Sequence, residues 1–96
     1  MLEPPPDDDL DECLRALAHQ TRRAILRLTR ADSTPAMSLA ETLRIAPATA
    51  SEHLKVLRKA GLVDLTATGT QRLYDANPNR IKTVITALSR DLHIDD

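Results

Sequence analysis

Residues 51–63 read SEHLKVLRKAGLV, which joins a basic amphipathic helix to a glycine stop and then to an apolar strand. Leu54, Leu57 and Ala60 recur at helical spacing and can face a core, while Ser51, Glu52, Lys55, Arg58 and Lys59 fall mainly on other faces. Gly61 supplies the position after the helix where a left-handed backbone carries no side-chain penalty. Such a run fits a DNA-reading helix that enters a wing. It also fits a plain surface helix with a solvated charged face, and the segments on either side decide between the two.

Upstream, SLAE at residues 38–41 has the form of a capping box, with the serine hydroxyl serving the amide three residues on and the glutamate returning to the Ser38 amide. It predicts a short helix over 38–44. Ile45 and Ala46 then turn the chain, and Pro47 fits the first position of a second helix over about 47–60, where its missing N–H would be unpaired anyway. So short a connection forces the close-packed angle of a helix-turn-helix. Downstream, LVDLT and QRLYDA are strand-like runs around ATGT, with Gly69 free to take positive φ at a hairpin tip. That hairpin is a wing.

Towards the N-terminus, residues 1–8 are rich in Pro and Asp and predict a disordered acidic arm, which leaves 9–96 as the folded domain. Leu10, Cys13, Leu14, Leu17 and Ala18 fall on one helical face and predict a first helix from about Asp9 to about Ala18. His19 or Thr21 can cap a second, TRRAILRLTR, with Ile25, Leu28 and Thr29 inward and Arg22, Arg23, Arg27 and Arg30 at its edges. The loop ADSTPAM follows, in which Met37 is placed to add a brief strand residue. Asn77-Pro78 starts a last helix over about 78–93, where Ile81, Val84, Ile85, Leu88 and Leu92 form an unbroken apolar stripe. That stripe points to a subunit interface, the alternative being packing on the first helix of the same chain. The fold class is mainly α with a small β-hairpin wing, about five helices in a winged helix-turn-helix.

With 96 residues the chain has room for one core and no second catalytic domain. Tyr74 is the one aromatic residue, so the core rests on Leu, Ile, Val and Ala, thin enough that a homodimer is expected. The net charge of -1 hides an asymmetry, because residues 13–90 hold five acids against all 13 Lys and Arg, a net of +8. A basic body with acidic ends suits a polyanion, although acidic tails also aid solubility. A lone Cys13 cannot form an intrachain disulfide, the start MLEPPPDDD has no basic region followed by an apolar run, and no window approaches a membrane span. A reducing, cytoplasmic setting without a membrane partner is the expectation.

A helix fits the major groove, and residues near the N-terminus of the second helix of such a pair reach furthest into it. Pro47, Ala48, Thr49, Ser51 and Glu52 are therefore placed nearest base edges, with Lys55 one turn behind. Thr49 can place its methyl against thymine and Glu52 can accept from a cytosine amino group, while Lys55, Arg58 and Lys59 suit phosphates. For Thr49 and Ser51 the alternative is helix capping. Arg72 is positioned to enter a minor groove or, alternatively, to pair with Asp64 across the hairpin.

Residues 14–78 resemble the ArsR/SmtB family of winged helix-turn-helix repressors. LRALAHQTRRAIL is similar to the family's first-to-second-helix motif, SLAETLRIAPATASEHLKVLRKAGLV to its helix-turn-helix, and TGTQRLYDANP to its wing. The resemblance implies a homodimer joined through the first helix (Leu10, Cys13, Leu14, Leu17) and the last, binding double-stranded DNA at a palindromic operator and repressing transcription. It puts Ala48, Thr49, Ser51, Glu52 and His53 on the reading helix and Gly69 and Arg72 on the wing, His53 itself reading as a residue that packs or touches phosphate rather than one that binds metal.

The chain departs from the family pattern at His19-Gln20, where Asp-Pro is common, and at Ala46, where a serine often caps the reading helix. Losing that cap removes about 0.5–2 kcal/mol locally, partly offset by Pro47. Many relatives sense metals through cysteines on the third helix or through Asp, His and Glu on the last. Helix three here has neither Cys nor His, and Asp91-Leu92-His93 matches one half of a ligand set without the second. No metal and no cofactor are expected. Cys13 lies in an apolar register and reads as a buried structural thiol, a thiol-based redox-responsive repressor being the alternative. No catalytic arrangement or glycine-rich cradle appears with two glycines in the chain, so an enzyme is not expected. The leading expectation is a sequence-specific dimeric repressor whose inducer the sequence does not identify. A winged-helix module that docks protein is the runner-up.

Overall fold

The computed structural model describes residues 7–94. Five helices and one hairpin follow in the order α1 (Asp7–Leu17), α2 (Gln20–Ala31), α3 (Ala36–Leu43), α4 (Pro47–Lys59), β1 (Val63–Thr68), β2 (Gln71–Ala76) and α5 (Pro78–Asp91). This is the expected fold class. Helix α1 begins at Asp7, two residues before its expected start, and residues 1–6 of the expected acidic arm lie outside the described residues.

Cys13, Ile25, Leu39, Leu54, Leu57, Leu62 and Val63 are the largest fully buried side chains, so each of α1 to α4 and the base of the wing contributes to one aliphatic core. Thr29 is the one buried polar residue among those described, and its hydroxyl donates back to the Ile25 carbonyl at 2.8 Å, which satisfies it without a distant partner. His19 caps α2, its Nδ1 accepting from the Thr21 amide at 3.2 Å.

Two local expectations fail in the stretch before the helix-turn-helix. Helix α3 begins at Ala36, after Pro35 at the cap position, and its first hydrogen bond runs from the Leu39 amide to the Pro35 carbonyl at 3.2 Å. Ser38 is then already in the first turn, so the capping box with Glu41 does not form. Met37 is an exposed helical residue and adds no strand; Thr34 takes that role. Its amide donates to the Tyr74 carbonyl at 3.0 Å and its carbonyl accepts from the Tyr74 amide at 2.9 Å, which covers the outer edge of β2.

The turn between α3 and α4 is Arg44-Ile45-Ala46. Arg44, expected to end the helix, is instead left-handed at φ 56, ψ 46, and the Ile45 amide reaches back to the Ala40 carbonyl at 3.0 Å. Pro47 occupies the first turn of α4, and Ala46 offers no side-chain cap.

At the other end of α4, Gly61 is left-handed at φ 77. The Gly61 amide donates to the Arg58 carbonyl at 3.0 Å and the Leu62 amide to the Leu57 carbonyl at 2.9 Å, so the helix closes while Leu62 turns into the core. Strands β1 and β2 pair antiparallel from Val63 opposite Ala76 to Thr68 opposite Gln71. Gly69 at φ 62 is followed by Thr70 without positive φ, the signature of a two-residue turn with glycine in its first place.

Asn77 caps α5, its Oδ1 accepting from the Arg80 amide at 3.0 Å. The apolar stripe of α5 divides: Val84 is buried and Ile81 half-buried against the core of the same chain, while Ile85 is 58% and Leu92 56% exposed. Leu88 lies between, half-buried. On α1, Leu10, Leu14 and Leu17 are half-buried and Cys13 is 1% exposed.

The two glycines provide a matched test. A Cβ on Gly69 would meet nothing within 4 Å, whereas one on Gly61 would lie 3.3 Å from Arg80 Nε. In urea denaturation Gly69→Ala is expected to cost about 1 kcal/mol for the left-handed backbone alone, and Gly61→Ala about 2 kcal/mol because Arg80 must also move.

Candidate nucleic-acid interface

The period of α4 sorts its residues. Ala50, Leu54 and Leu57 are buried, and Ala48, Thr49, Ser51, Glu52, Lys55, Arg58 and Lys59 are exposed on the other side with Pro47 at the start. Three cations of this outer face meet the wing. Ser51, Leu54, Lys55, Arg58, Lys59 and Tyr74 line an open groove of about 350 Å³. Tyr74 was not among the expected site residues; it stands on β2 opposite Leu65, with its backbone bridged to Thr34 on the other edge.

Gly69 and Arg72 are exposed at the far end of the hairpin. The register puts Arg72 opposite Ala67 and Asp64 opposite Asp75, so Arg72 and Asp64 stand three positions apart along the ladder. The alternative pairing of Arg72 with Asp64 is therefore excluded by register. Asp75 instead accepts from the Ser33 hydroxyl, which holds the α2–α3 loop against the wing.

Of the two roles expected for His53, packing or phosphate contact, the structure shows packing. It is half-buried on the flank of α4 that meets α2, with its ring centroid 4.6 Å from that of His19 at an interplanar angle of 58°. Arg22 Nε donates to His53 Nδ1 at 3.2 Å, and Arg22 Nη1 donates to the Arg15 carbonyl at 3.3 Å. Arg22, expected at a free edge of α2, is thus a strut between α1 and α4. An acceptor at Nδ1 requires a neutral His53 with its proton on Nε2. Partial burial, then His19, then Arg22 hold the imidazole below its ordinary value of 6.5. His19 and Arg22 are one turn apart in sequence, but nothing in the pattern announces that His53 closes the group.

Among the described residues no three His, Cys, Asp or Glu side chains converge to hold a metal. Cys13 points inward, its Sγ donating to the Ala60 carbonyl at 3.4 Å.

An exposed basic helix in the second position of a helix-turn-helix, flanked by a hairpin with a cationic tip, defines a winged helix-turn-helix domain built to meet a polyanion. Comparison with known proteins agrees. The helix-turn-helix domain family matches residues 17–66. The HTH-type transcriptional regulator Rv2034 of Mycobacterium tuberculosis is 36% identical over 80 residues, which are 83% of this chain and 75% of that protein. The HTH-type transcriptional repressor SmtB of the same species is 38% identical over 74 residues, 74% of this chain but 55% of SmtB.

Among solved structures, an ArsR-like transcriptional regulator from Rhodococcus sp. RHA1 superposes with a TM-score of 0.82 at 28% identity, covering 86% of this chain and 76% of that one. The homodimeric winged helix-turn-helix DNA-binding domain of Mb0332 from Mycobacterium bovis superposes with a TM-score of 0.72 at 25% identity, covering 91% and 82%. The chain belongs to the ArsR/SmtB family of winged helix-turn-helix transcriptional regulators. It is a DNA-binding regulator and not an enzyme.

Arg22 supplies the test of this geometry. Arg22→Ala removes both strut hydrogen bonds and is expected to cost about 1–2 kcal/mol in urea denaturation. Arg23→Ala, which removes one exposed bond to the Leu17 carbonyl, should cost about 0.5 kcal/mol or less.

Proposed function

We propose that the protein is a dimeric, sequence-specific repressor that acts in the cytoplasm on a palindromic operator, with no metal in its control. The observation that carries this reading is the outer face of α4, where Lys55, Arg58 and Lys59 gather beside Tyr74 while Ala48, Thr49, Ser51 and Glu52 stand exposed toward the helix start. Residues 48–52 are the ones that reach base edges in a major groove, and the three cations one and two turns later fall against phosphates. Arg72 and Gly69 at the wing tip extend the footprint toward the neighbouring minor groove.

A palindrome requires a two-fold dimer. The exposed Ile85 and Leu92 on α5, with half-buried Leu88 and Leu10, Leu14 and Leu17 of α1, supply an apolar surface for a second copy. The homodimeric Mb0332 domain supports that reading. Among the described residues no helix is long and apolar enough to cross a membrane. A thiol switch between symmetry-related Cys13 residues finds no support, since the thiol is closed off inside its own chain.

The test begins with purified protein and sheared genomic DNA. Enriched fragments should share an inverted repeat with half-sites about one helical turn apart, and affinity for the best fragment should fall steeply with salt. Lys55→Ala and Arg58→Ala should each reduce the salt slope by about 1 and weaken all sequences alike, whereas Thr49→Ala should relax preference at one base position. Unchanged affinity and slope in the combined Lys55, Arg58 and Arg72 alanine variant would remove the DNA reading in favour of protein docking.

For the dimer, Ile85→Glu places a charge on a residue that the monomer leaves exposed. It is expected to give a folded monomer by sedimentation, with operator affinity lower by about 100-fold or more.

A further inference from the structure

We propose that His19, Arg22 and His53 form a proton-sensitive seat for the reading helix, so that operator affinity falls as the medium turns acidic. This rests on the DNA-binding reading above and adds a mode of regulation to the same site.

Two contacts in the cluster use an imidazole nitrogen as the acceptor. His53 Nδ1 accepts from Arg22 Nε at 3.2 Å, and His19 Nδ1 accepts from the Thr21 amide at 3.2 Å. A proton on His53 Nδ1 turns that acceptor into a donor aimed at another donor. The His19 ring lies 4.6 Å away and the Arg22 guanidinium touches Nδ1, so an imidazolium at position 53 would stand against a fixed positive charge. Arg22 carries the consequence further, because its second hydrogen bond ties α1 through the Arg15 carbonyl. One protonation event therefore loosens the contacts that hold α4 against both α1 and α2.

No carboxylate, half-buried Glu12 of α1 included, is among the groups that shift the His53 imidazole. From α2 and its cap, His19 and Arg22 are the charged groups that act on the His53 ring, and both disfavour its protonation. Arg23 of α2 is turned to the Leu17 carbonyl. Arg15 of α1, Glu41 on α3 and Arg44 after it, Asp64 on β1, and Glu52 and Lys55 on α4 itself are all exposed to solvent.

The direction follows from linkage. Burial, His19 and Arg22 hold the folded-state value of His53 below the unfolded 6.5, so the seat is intact above about pH 6.5 and is lost as pH falls through the lower folded value. A histidine that touched phosphate would do the opposite, since each proton gained there strengthens binding. The sign of the pH dependence thus separates a seat from a contact.

The experiment measures affinity at constant ionic strength for the tightest duplex recovered from a random-sequence library, at about pH 7.5 and about pH 5.5. The wild-type protein should lose about five- to tenfold on acidification, and His53→Gln, which keeps an acceptor for Arg22 but cannot titrate, should lose much less. Affinity that holds or rises on acidification, or an equal loss in both proteins, would overturn the proposal.

Melting temperature of the free proteins over the same pH range separates the two readings. If no duplex binds at the higher pH the DNA reading fails. The seat is then judged on its own: a wild-type melting temperature that drops on acidification more than that of His53→Gln supports it, and parallel drops overturn it. Should His53→Gln fail to fold, an imidazole proton titration of wild-type His53 decides, since a midpoint at or above the ordinary 6.5 overturns the seat.

Discussion

The Ala60 carbonyl is the point on which the remaining structure turns. It accepts from Arg80 Nε at 3.2 Å and from Cys13 Sγ at 3.4 Å, and so brings α5 and α1 to the end of α4. Arg80 also places Nη2 3.6 Å from the Cys13 sulfur. The carbonyl is presented because Gly61 turns the chain left-handed immediately after it, and a side chain at Gly61 would crowd the guanidinium that uses it. The next residue, Leu62, is buried, and its own carbonyl accepts from the Asn77 amide at 2.9 Å, which fixes the exit of the wing as well as its entry. A hydrogen bond from a charged donor is worth about 1.5–3 kcal/mol, a large share for a domain of this size. An aliphatic core without aromatic residues is thereby supplemented at the one place where four elements meet.

Much of this was legible in the sequence for a physical reason. Elements set by periodicity and by glycine or proline came out as expected: the inward Leu54 and Leu57, the left-handed Gly61 and Gly69, Pro47 opening α4 and Asn77 closing the gap to α5. Each of these is a local rule, in which the residue itself restricts its backbone or its neighbours' burial. The start of α3 was misread because two local rules competed. Ser38 and Glu41 have the right spacing for a capping box, but Pro35 fixes φ at -71 with an extended ψ and starts the helix earlier.

The features that were not legible depend on partners distant in sequence. Thr34 pairs with Tyr74, Arg80 with Ala60, and Arg22 with His53 across 31 positions. None of these residues carries a pattern that names its partner. For the same reason α4 is legible as a reading helix while the choice between packing and phosphate contact at His53 is not. Helical period puts position 53 at the border between the buried and exposed faces, and only the approach of α2 decides which face claims it.

The reading helix is therefore held at two places by unlike chemistry. At its C-terminal end the anchor joins a guanidinium to a backbone carbonyl, a pair with no proton to gain near neutrality. Toward its middle the anchor joins a guanidinium to an imidazole nitrogen, which is an acceptor only while neutral. In the proposed seat, a proton removes the second hydrogen-bonded anchor and leaves the first, together with the buried Ala50, Leu54 and Leu57, so α4 loosens from α2 without leaving the core. Arg58 and Lys59 adjoin the anchor that is kept at Ala60, while residues 48–52 adjoin the one that is lost at His53. Acidification would then bear on discrimination between sequences more than on attachment to phosphates, because the contacts with bases are the ones next to the titrating anchor.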